Sequence, residues 1–371
     1  MATAQQAWVE ELQQLVTNPL DREAMRGRRI AAILGDVPST YAKSPTLWNA
    51  AFRALKLEAL YIPLDVPADR LKDVLQLLRM NDQFLGGSVT VPYKQQVIPL
   101  LDAVDPLTAR IGAVNVIVRT PEGRLLGYNT DGLGGVQALV QAGGMADLRT
   151  ARILMIGAGG AAQAVAFALW EQMTQGELII ANRSRATAQT LVQRLSESRP
   201  GLLAAITEDE IAGRLRAMDV LINCTVKGQA GIRKLPDGRI TCLEPYSSLA
   251  SAHPTGLPAA VASEDPSWYE TWFRQSLADI QRNHQQSLAL CARLPRTTVC
   301  YDIIYAPLET VLLRHARWGG HRTLNGREMN LRQAVEAFAR YVCKEWLAQR
   351  GLSNTEGLAR LRQAMAEEWG K

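Results

Sequence analysis

The sequence predicts a protein of two α/β domains, and three observations support this fold class. The chain has 371 residues, which exceeds the size at which a single hydrophobic core usually stops growing. Short apolar runs alternate with stretches of helical periodicity, as in sheets covered by helices. A glycine-rich turn at residues 157–160 then joins an apolar run to an apolar helix, and this predicts the start of a second strand–helix unit.

The composition predicts a soluble globular protein of the cytoplasm. Hydrophobic residues make up 47% and charged residues 21% of the chain, which is ordinary for globular domains. The 41 basic and 36 acidic residues are dispersed, so we expect small anionic partners and no nucleic acid. Five cysteines without a CxxC pair predict neither a disulfide framework nor a metal site. No segment has the length and apolarity of a signal peptide or a membrane span.

The first 28 residues predict a helical extension ahead of the main fold. Trp8, Leu12 and Leu15 recur at helical spacing, and Asn18 followed by Pro19 ends that pattern.

The first α/β domain is predicted to span residues 29–130. Its expected strands are short apolar runs separated by helical stretches: Ile30–Leu34, Ala59–Leu64, Gly86–Val91 and Ala113–Val118. The predicted helices Leu331–Leu347 and Ser353–Trp369 follow near the end of the chain.

The second α/β domain is predicted over residues 131–325, with an insertion at about 231–295. Its expected strands are Ile153–Ile156, Leu178–Ile180, Val220–Ile222 and Tyr301–Tyr305, and its expected helices are Ala161–Trp170 and Thr310–Trp318. The insertion shows no sheet pattern, and only Trp268–Leu290 is predicted to be helical. We interpret it as surface elaboration, with a lid or an oligomer contact through Trp268, Trp272 and Phe273 as the alternative.

The turn Gly157-Ala158-Gly159-Gly160-Ala161-Ala162 fits the pattern GxGxxA of dinucleotide-binding domains. Gly157 permits the tight turn, and Gly159 lets a pyrophosphate approach the backbone. Gly160 and Ala161 begin the helix, whose free N–H groups attract phosphate. These four residues are therefore predicted to bind a cofactor, the alternative being a purely structural turn.

The end of the next strand predicts NADP rather than NAD. NAD-binding domains usually carry an acid there, whereas an arginine accommodates a 2′-phosphate. This chain has Asn182-Arg183-Ser184-Arg185 and no acid. The Arg183 guanidinium can bind phosphate through two hydrogen bonds, and Ser184 can add a third. A solvated basic loop is the alternative.

Eight motifs together carry a family resemblance. They are, in chain order, Ser88-Val89-Thr90-Val91-Pro92-Tyr93-Lys94, Ala113-Val114-Asn115, Asn129-Thr130-Asp131-Gly132, the glycine turn, Asn182-Arg183-Ser184, Ile222-Asn223-Cys224-Thr225, Tyr305-Ala306-Pro307 and residues 326–333. This ordered set resembles the shikimate dehydrogenases. The resemblance implies reversible hydride transfer between NADP(H) and 3-dehydroshikimate/shikimate or quinate. It also implies a substrate-binding domain at residues 29–130 completed by 326–371, followed by a Rossmann-like, doubly wound NADP-binding domain.

The same resemblance implies roles for individual residues. Lys94 and Asp131 match the catalytic pair, in which a lysine relays the hydroxyl proton while a carboxylate orients its ammonium. An exposed lysine and a helix-capping aspartate are the alternative. The positions that match substrate-binding residues are Ser44, Thr90, Asn115, Tyr305 and Gln333, and Asn182 and Thr225 join the cofactor-binding residues.

Some positions depart from the family pattern. The family usually has His-Ser-x-Ser-Pro where this chain has Tyr41-Ala42-Lys43-Ser44-Pro45, so one of two carboxylate-binding hydroxyls is missing. Trp48 replaces a common histidine, and Ser88 replaces a usual asparagine. These changes predict either weaker carboxylate binding or a different substrate at that end.

Three functions therefore remain open on sequence grounds. The first is a shikimate or quinate dehydrogenase acting on a small cyclic carboxylate. The second is a divergent paralogue acting on a related cyclic keto acid or amino analogue, and the third is a non-catalytic binding protein of the same fold. A homodimer is possible.

Overall fold

The structure is a computed structural model that describes residues 2–235, 237–259 and 267–370, with side chains from residue 6 onward. The chain divides into two compact units, Met1–Gly134 with Leu331–Lys371, and Gly135–Asn330. The predicted divisions at 130 and 326 differ by a few residues, because both boundaries fall inside continuous helices.

The first unit contains a six-stranded mixed sheet in the order β2-β1-β3-β5-β6-β4. Its strands are β1 (Arg29–Gly35), β2 (Ala59–Asp65), β3 (Phe84–Val89), β4 (Ala103–Val104), β5 (Val116–Arg119) and β6 (Leu125–Tyr128). β1 runs parallel to β2 and β3, whereas β5 is antiparallel to both β3 and β6. The helices are α1 (Ala2–Leu15), α2 (Arg22–Met25), α3 (Pro38–Tyr41), α4 (Ser44–Ala54), α5 (Leu71–Met80), α6 (Pro106–Ile111) and the start of α7 (Asp131–Gln141).

Two predicted strands of this sheet end differently in the structure. β3 stops at Val89, and β5 begins only at Val116. The apolar side chains of Ala113 and Val114 suggest a strand, but the Val114 N–H donates to the Lys94 carbonyl at 2.7 Å. The Val114 N–H is thus bonded to a loop residue and not to a neighbouring strand, and the Lys94 backbone lies beside the segment that contains Asn115.

The N-terminal helix is part of the first core, which corrects the predicted extension at residues 1–28. Trp8 and Leu12 are buried in a cluster with Ile30 and Val74. The Trp8 indole N–H also donates to the Leu77 carbonyl at 3.2 Å. Helical periodicity alone could not distinguish a helix that covers the core from one that precedes it.

The C-terminal segment of the first unit is less regular than predicted. Its elements are the end of α12 (Arg327–Glu336), a π-helical stretch at Ala337–Val342, α13 (Lys344–Gln349) and α14 (Thr355–Trp369). In the π-helical stretch, the ring of Phe338 packs against Trp48 and Phe52. The apolar pattern does not distinguish this stretch from a continuous α-helix, since both place apolar residues on one face.

The second unit has a parallel six-stranded sheet in the order β14-β13-β10-β7-β8-β9. Its strands are β7 (Arg152–Ile156), β8 (Glu177–Ala181), β9 (Leu202–Ile206), β10 (Val220–Asn223), β13 (Val299–Asp302) and β14 (Arg322–Leu324). Its helices include α8 (Gly160–Gln172), α9 (Arg185–Ser198), α10 (Trp268–Cys291) and α11 (Val311–Trp318). The strand order reverses between β7 and β10, which confirms the predicted doubly wound fold and marks where such sheets bind dinucleotides.

The predicted insertion at about 231–295 forms a small structured element. Of its residues, 236 and 260–266 lie outside the part of the chain that the structure describes. The element contains a two-stranded antiparallel sheet, β11 (Ile232–Lys234) and β12 (Ile240–Cys242), so the expectation of no sheet was wrong. Trp272 is completely buried against β12, and its indole N–H lies 3.0 Å from Thr241 Oγ1. Trp272 therefore forms the core of this element and cannot contact a second subunit.

Asn283 of α10 is expected to be a major stabilising residue of the second unit. Its Oδ1 accepts from the Ser247 N–H at 2.8 Å, and its Nδ2 lies 3.0–3.1 Å from the carbonyls of Ser247, Ala250 and Ser251. Asn283→Ala should lower the free energy of unfolding by about 1–3 kcal/mol, because these buried groups lose their partner. Denaturant unfolding measures this, with Gln281→Ala on the exposed side of the same helix as control. Equal stability of the two variants would contradict the prediction.

None of the helices in the described part of the chain combines the length and the apolarity needed to cross a membrane.

Candidate active site

Lys94 and Asp131 form an ion pair in the first unit. Lys94 lies in the loop after β3, and Asp131 is the first residue of α7. The Lys94 Nζ is 2.5 Å from Asp131 Oδ2, and the two side chains are only 18% and 8% exposed. The pair is therefore shielded from bulk water, where a charge–charge contact is stronger than at an open surface.

Asn115 holds the carboxylate from its other side. Its Oδ1 accepts from the Thr130 N–H at 2.8 Å, so its Nδ2 must face Asp131 Oδ1, also at 2.8 Å. Asn129 Oδ1 accepts from the Asp131 N–H at 3.0 Å and caps the first turn of α7. Because an ionised carboxylate only accepts hydrogen bonds, these donors fix Asp131 while it binds Lys94.

Gln333 of α12 joins the same cluster from the far end of the sequence. Its Oε1 lies 3.3 Å from Asn115 Nδ2, and its backbone carbonyl accepts from Thr130 Oγ1 at 3.2 Å. Within the described chain, no residue accepts from the Gln333 Nε2 group, which remains a donor for a ligand. The structure thus brings together four residues that the sequence predicted as one site: Lys94, Asp131, Asn115 and Gln333.

Ser44 and Thr90 each lie at the end of a secondary-structure element in the first unit. Ser44 begins α4 and is buried. Thr90 directly follows β3, and its N–H donates to the Leu34 carbonyl at 2.8 Å. Neither side chain bonds to Lys94 or Asp131 among the described contacts, so both are free to bind a different part of a ligand.

Tyr305, the remaining predicted substrate residue, belongs to the second unit. It follows β13 in a loop and is half-buried. Burial raises the pKa of its phenol, which therefore stays a neutral hydrogen-bond donor. Its contact with substrate stays a prediction.

The glycine turn of the second unit has the geometry of a phosphate-binding loop. Gly157 has a φ of +109°, and a Cβ there would come within 3.0 Å of the Cys224 backbone, so a side chain is excluded. At Gly159 a Cβ would meet no atom within 4 Å, which leaves open space before α8. No side chain caps α8, whose first N–H groups are thus available to an anion.

The arginines after β8 differ in what they bind. Arg185 pairs with Glu210 and holds the pKa of that carboxyl at about 2. Arg183 is exposed, and in the described structure it makes no hydrogen bond or ion pair. Ser184 caps α9 by accepting from the Thr187 N–H at 3.4 Å, while Asn182 donates to the Ser184 carbonyl at 3.0 Å. The open loop, the uncapped helix and the unpaired Arg183 fit NADP.

Asp302, at the end of β13, was not identified from the sequence. It is completely buried, and burial raises the pKa of its carboxyl to about 7 despite hydrogen bonds from Thr310, Ile304 and Asn223. Asn223 in turn accepts from the backbone N–H and hydroxyl of Thr225 at 2.9 and 2.8 Å. Asp302 thus anchors the turn that flanks Gly157. The sequence signal that could have identified Asp302 is an acidic residue directly after an apolar run.

Two family models match the chain. Residues 34–117 match the shikimate dehydrogenase substrate binding domain, and residues 139–235 match the shikimate / quinate 5-dehydrogenase family. These segments contain the Lys94 loop and the glycine turn, respectively.

Individual proteins are similar over nearly the whole chain. The shikimate dehydrogenase (NADP(+)) of Symbiobacterium thermophilum is 34% identical over 334 residues, which cover 89% of this chain and 93% of that protein. The corresponding protein of Moorella thermoacetica is 35% identical over 321 residues, covering 85% and 88%. A crystal structure of the Thermus thermophilus shikimate 5-dehydrogenase with NADP(H) and shikimate has a TM-score of 0.60 at 27% identity, covering 91% of this chain and 99% of that one.

Proposed function

Because the chain belongs to the shikimate dehydrogenase family, we propose that it is an NADP-dependent dehydrogenase that interconverts shikimate and 3-dehydroshikimate. The observation that carries this proposal is the shielded Lys94–Asp131 pair, which Asn115 and Gln333 hold in place. Quinate, a related cyclic carboxylate, is the second substrate to test.

The reaction adds a hydride to the ring carbon and a proton to its oxygen in one direction, and removes both in the other. Bound NADP⁺ supplies the hydride acceptor, and NADPH the donor, at the reacting ring carbon. In the direction of reduction, the Lys94 ammonium donates its proton to the ketone oxygen as that oxygen gains charge. In the direction of oxidation, the Lys94 amine takes the hydroxyl proton, so no charged alkoxide accumulates.

Asp131 and Asn115 position this proton exchange. One N–H of the ammonium binds Asp131 Oδ2, which leaves its other N–H groups for the substrate oxygen. Asn115 keeps the carboxylate from turning away by binding its second oxygen. Ser44, Thr90, Gln333 and Tyr305 would bind the ring hydroxyls and the carboxylate, and this selects a cyclic carboxylate over a simple alcohol.

The second unit would hold NADP through the residues of its glycine turn. Gly159, Gly160 and Ala161 would present backbone N–H groups to the pyrophosphate. The N–H of Gly157 already donates to the Ala181 carbonyl at 2.7 Å, so Gly157 would serve by letting the turn pass close to the cofactor. Asn182, Ser184 and Thr225 are the further residues proposed to bind the cofactor. Arg183 would bind the 2′-phosphate, since Arg185 is already paired with Glu210.

We also propose that the protein acts in the cytoplasm, in the biosynthesis of aromatic amino acids, and that it forms a homodimer. All five cysteines are free thiols, which suits a reducing compartment. Light scattering of the purified protein tests the oligomeric state.

A direct assay tests the function. NADP⁺ reduction is followed after addition of shikimate or quinate, with NAD⁺ in parallel. Turnover of shikimate with NADP⁺ supports the proposal. Binding of NADP⁺ without turnover of either compound would contradict it and favour a divergent paralogue or a binding protein.

Ala42→Ser should improve shikimate binding. Ala42 is half-buried two residues before Ser44, where the family places a second hydroxyl. The restored hydroxyl can bind the substrate carboxylate, so we expect KM for shikimate to fall about tenfold with little change in kcat. Steady-state kinetics measure this, with Ala68→Ser at an exposed site as control. An unchanged KM would mean that the carboxylate lies elsewhere.

A further inference from the structure

A cavity of about 900 Å³ lies between the sheet of the first unit and the π-helical stretch. It is lined by the start of β3 and the end of β5, with the π-helical stretch and α13 on the opposite side. The candidate active site is at the other ends of these two strands, because Lys94 follows the end of β3 and Asn115 precedes the start of β5. Among the described residues that line the cavity, none is a proposed substrate-binding residue. Its volume is in the range of small-molecule sites, about 300–1,000 Å³.

Three aromatic side chains give the cavity flat apolar surfaces. The ring centroids of Tyr128 and Tyr341 are 4.5 Å apart, and Trp346 also lines the cavity. All three side chains are half-buried and pack against the hydrophobic core of this unit. Val118 and Leu126, which are paired across β5 and β6, add aliphatic surface beside them. These surfaces suit a flat ring, because aromatic rings pack favourably in offset-stacked and edge-to-face arrangements.

Two guanidinium groups of the cavity have no carboxylate partner in the described part of the chain. Arg29 lies over the Trp346 ring, 5.7 Å from its centroid, and its guanidinium donates one long hydrogen bond, of 3.5 Å, to the Asp82 carbonyl. Arg119 is half-buried and donates to two backbone carbonyls, at 2.8 and 3.2 Å. Both guanidinium groups thus keep N–H groups that an anion in the cavity can bind.

The two arginines also act on each other. Burial lowers the pKa of Arg119 below its ordinary value; Asp82 opposes this shift, and the positive charge of Arg29 adds to it. The charge of a half-buried group is screened less by salt than that of an exposed one. An anion between Arg29 and Arg119 would therefore relieve the repulsion between them.

The remaining charges of the cavity are weaker competitors for these arginines. Their side chains are all exposed to solvent, which screens them: Asp82, Glu122, Arg340, Lys344 and Glu345. Arg340 is already paired with Glu336 at 3.0 Å. The two unpaired guanidinium groups therefore determine which charge the cavity favours, and that charge is negative.

We propose that this cavity binds a planar aromatic carboxylate. The ring of the ligand would lie against Tyr128, Tyr341 and Trp346, and its carboxylate would bind Arg29 and Arg119. A carboxylate matches a guanidinium group, since two N–H groups can donate to its two oxygens. The cavity is thus a second ligand site that shares no lining residue with the candidate active site. The inference does not rest on the proposed function.

The test uses indole-3-propionate, which joins a flat ring to a carboxylate through a short chain. Calorimetry on the full chain should give a dissociation constant below about 1 mM. Tryptamine has the same ring and a positive charge, and cyclohexanepropionate has the same negative charge without a flat ring. Each should bind at least about tenfold more weakly. Saturating shikimate should leave the binding of indole-3-propionate unchanged.

Two substitutions at the cavity should change the affinity in opposite directions. Arg29→Gln should weaken binding of indole-3-propionate about tenfold, because a charged hydrogen bond is lost. Glu345→Gln should tighten it about two- to fivefold, because an exposed charge of the same sign as the ligand is removed. A gain of affinity cannot result from a damaged fold. Arg124→Gln, at an exposed arginine of the same unit outside the cavity, is the matched control and should change nothing.

Failure to bind indole-3-propionate, equal binding of tryptamine or cyclohexanepropionate, or displacement of the probe by shikimate would overturn the inference. So would an unchanged affinity in Arg29→Gln, or an unchanged or lower affinity in Glu345→Gln. Turnover of shikimate by wild type tests the proposed function separately, since binding of the probe is measured without cofactor or turnover.

Discussion

Lys94→Ala and Asp131→Ala should each lower kcat for shikimate by about 10² to 10⁴, the usual contribution of a positioned acid–base group. Lys94 is expected to carry the proton, and Asp131 to hold the ammonium through a 2.5 Å contact. Because neither residue belongs to the unit with the glycine turn, NADP⁺ binding should change little. The measurements are kcat for shikimate and the dissociation constant of NADP⁺.

Lys72→Ala is the matched control for the lysine, since Lys72 is exposed on α5 of the same unit. The double variant Lys94→Ala/Asp131→Ala should be about as slow as either single variant, as is typical of residues that act as one unit. Near wild-type kcat in either single variant would show that the residue does not take part in the proton transfer.

Arg183→Ala should raise KM for NADP⁺ by about 10- to 100-fold, the effect of losing a charged, bidentate contact to a phosphate. KM for NAD⁺ should stay unchanged, because NAD⁺ lacks the 2′-phosphate. The reason to single out Arg183 is that it is exposed and unpaired within the described residues. Steady-state kinetics with both cofactors measure the selectivity.

Arg185→Ala provides the comparison at the neighbouring guanidinium. Arg185 already binds Glu210 and the Ala205 carbonyl, so its loss should change the preference for NADP⁺ far less. If Arg185→Ala reduced that preference more than Arg183→Ala, the roles assigned to the two arginines would have to be exchanged.

The glycine turn is a structure that consecutive residues of the sequence predict correctly. Its strand, turn and helix were predicted from consecutive residues, and the structure has all three at Arg152–Ile156, Gly157 and Gly160–Gln172. The ion pair between Asp131 and Lys94 could not be predicted in this way, because no residue near Asp131 in the sequence indicates that its carboxylate contacts Lys94. That pairing was predicted only because the motifs, taken together, resembled a known family.

Several local patterns allowed more than one structure. The apolar residues around Ala113 suggested a strand, yet the Val114 N–H donates to a loop carbonyl. For Trp272, the alternative to surface elaboration was a lid or an oligomer contact, but its side chain is buried against β12. In both cases the deciding partner is distant along the chain, so periodicity could not identify it.

By itself, the sequence determined the two α/β units, the glycine turn between strand and helix, and the absence of an acid after β8, because these depend on backbone sterics and on side chains within a few residues of each other. Only the tertiary structure decided that Gln333 meets Asn115, that Asp302 anchors Thr225 through Asn223, and that Tyr61 reaches across β1 to Ser88. These contacts depend on which strands become neighbours in a sheet. Strand order is set by burial of the whole core, and no local window of the sequence contains it.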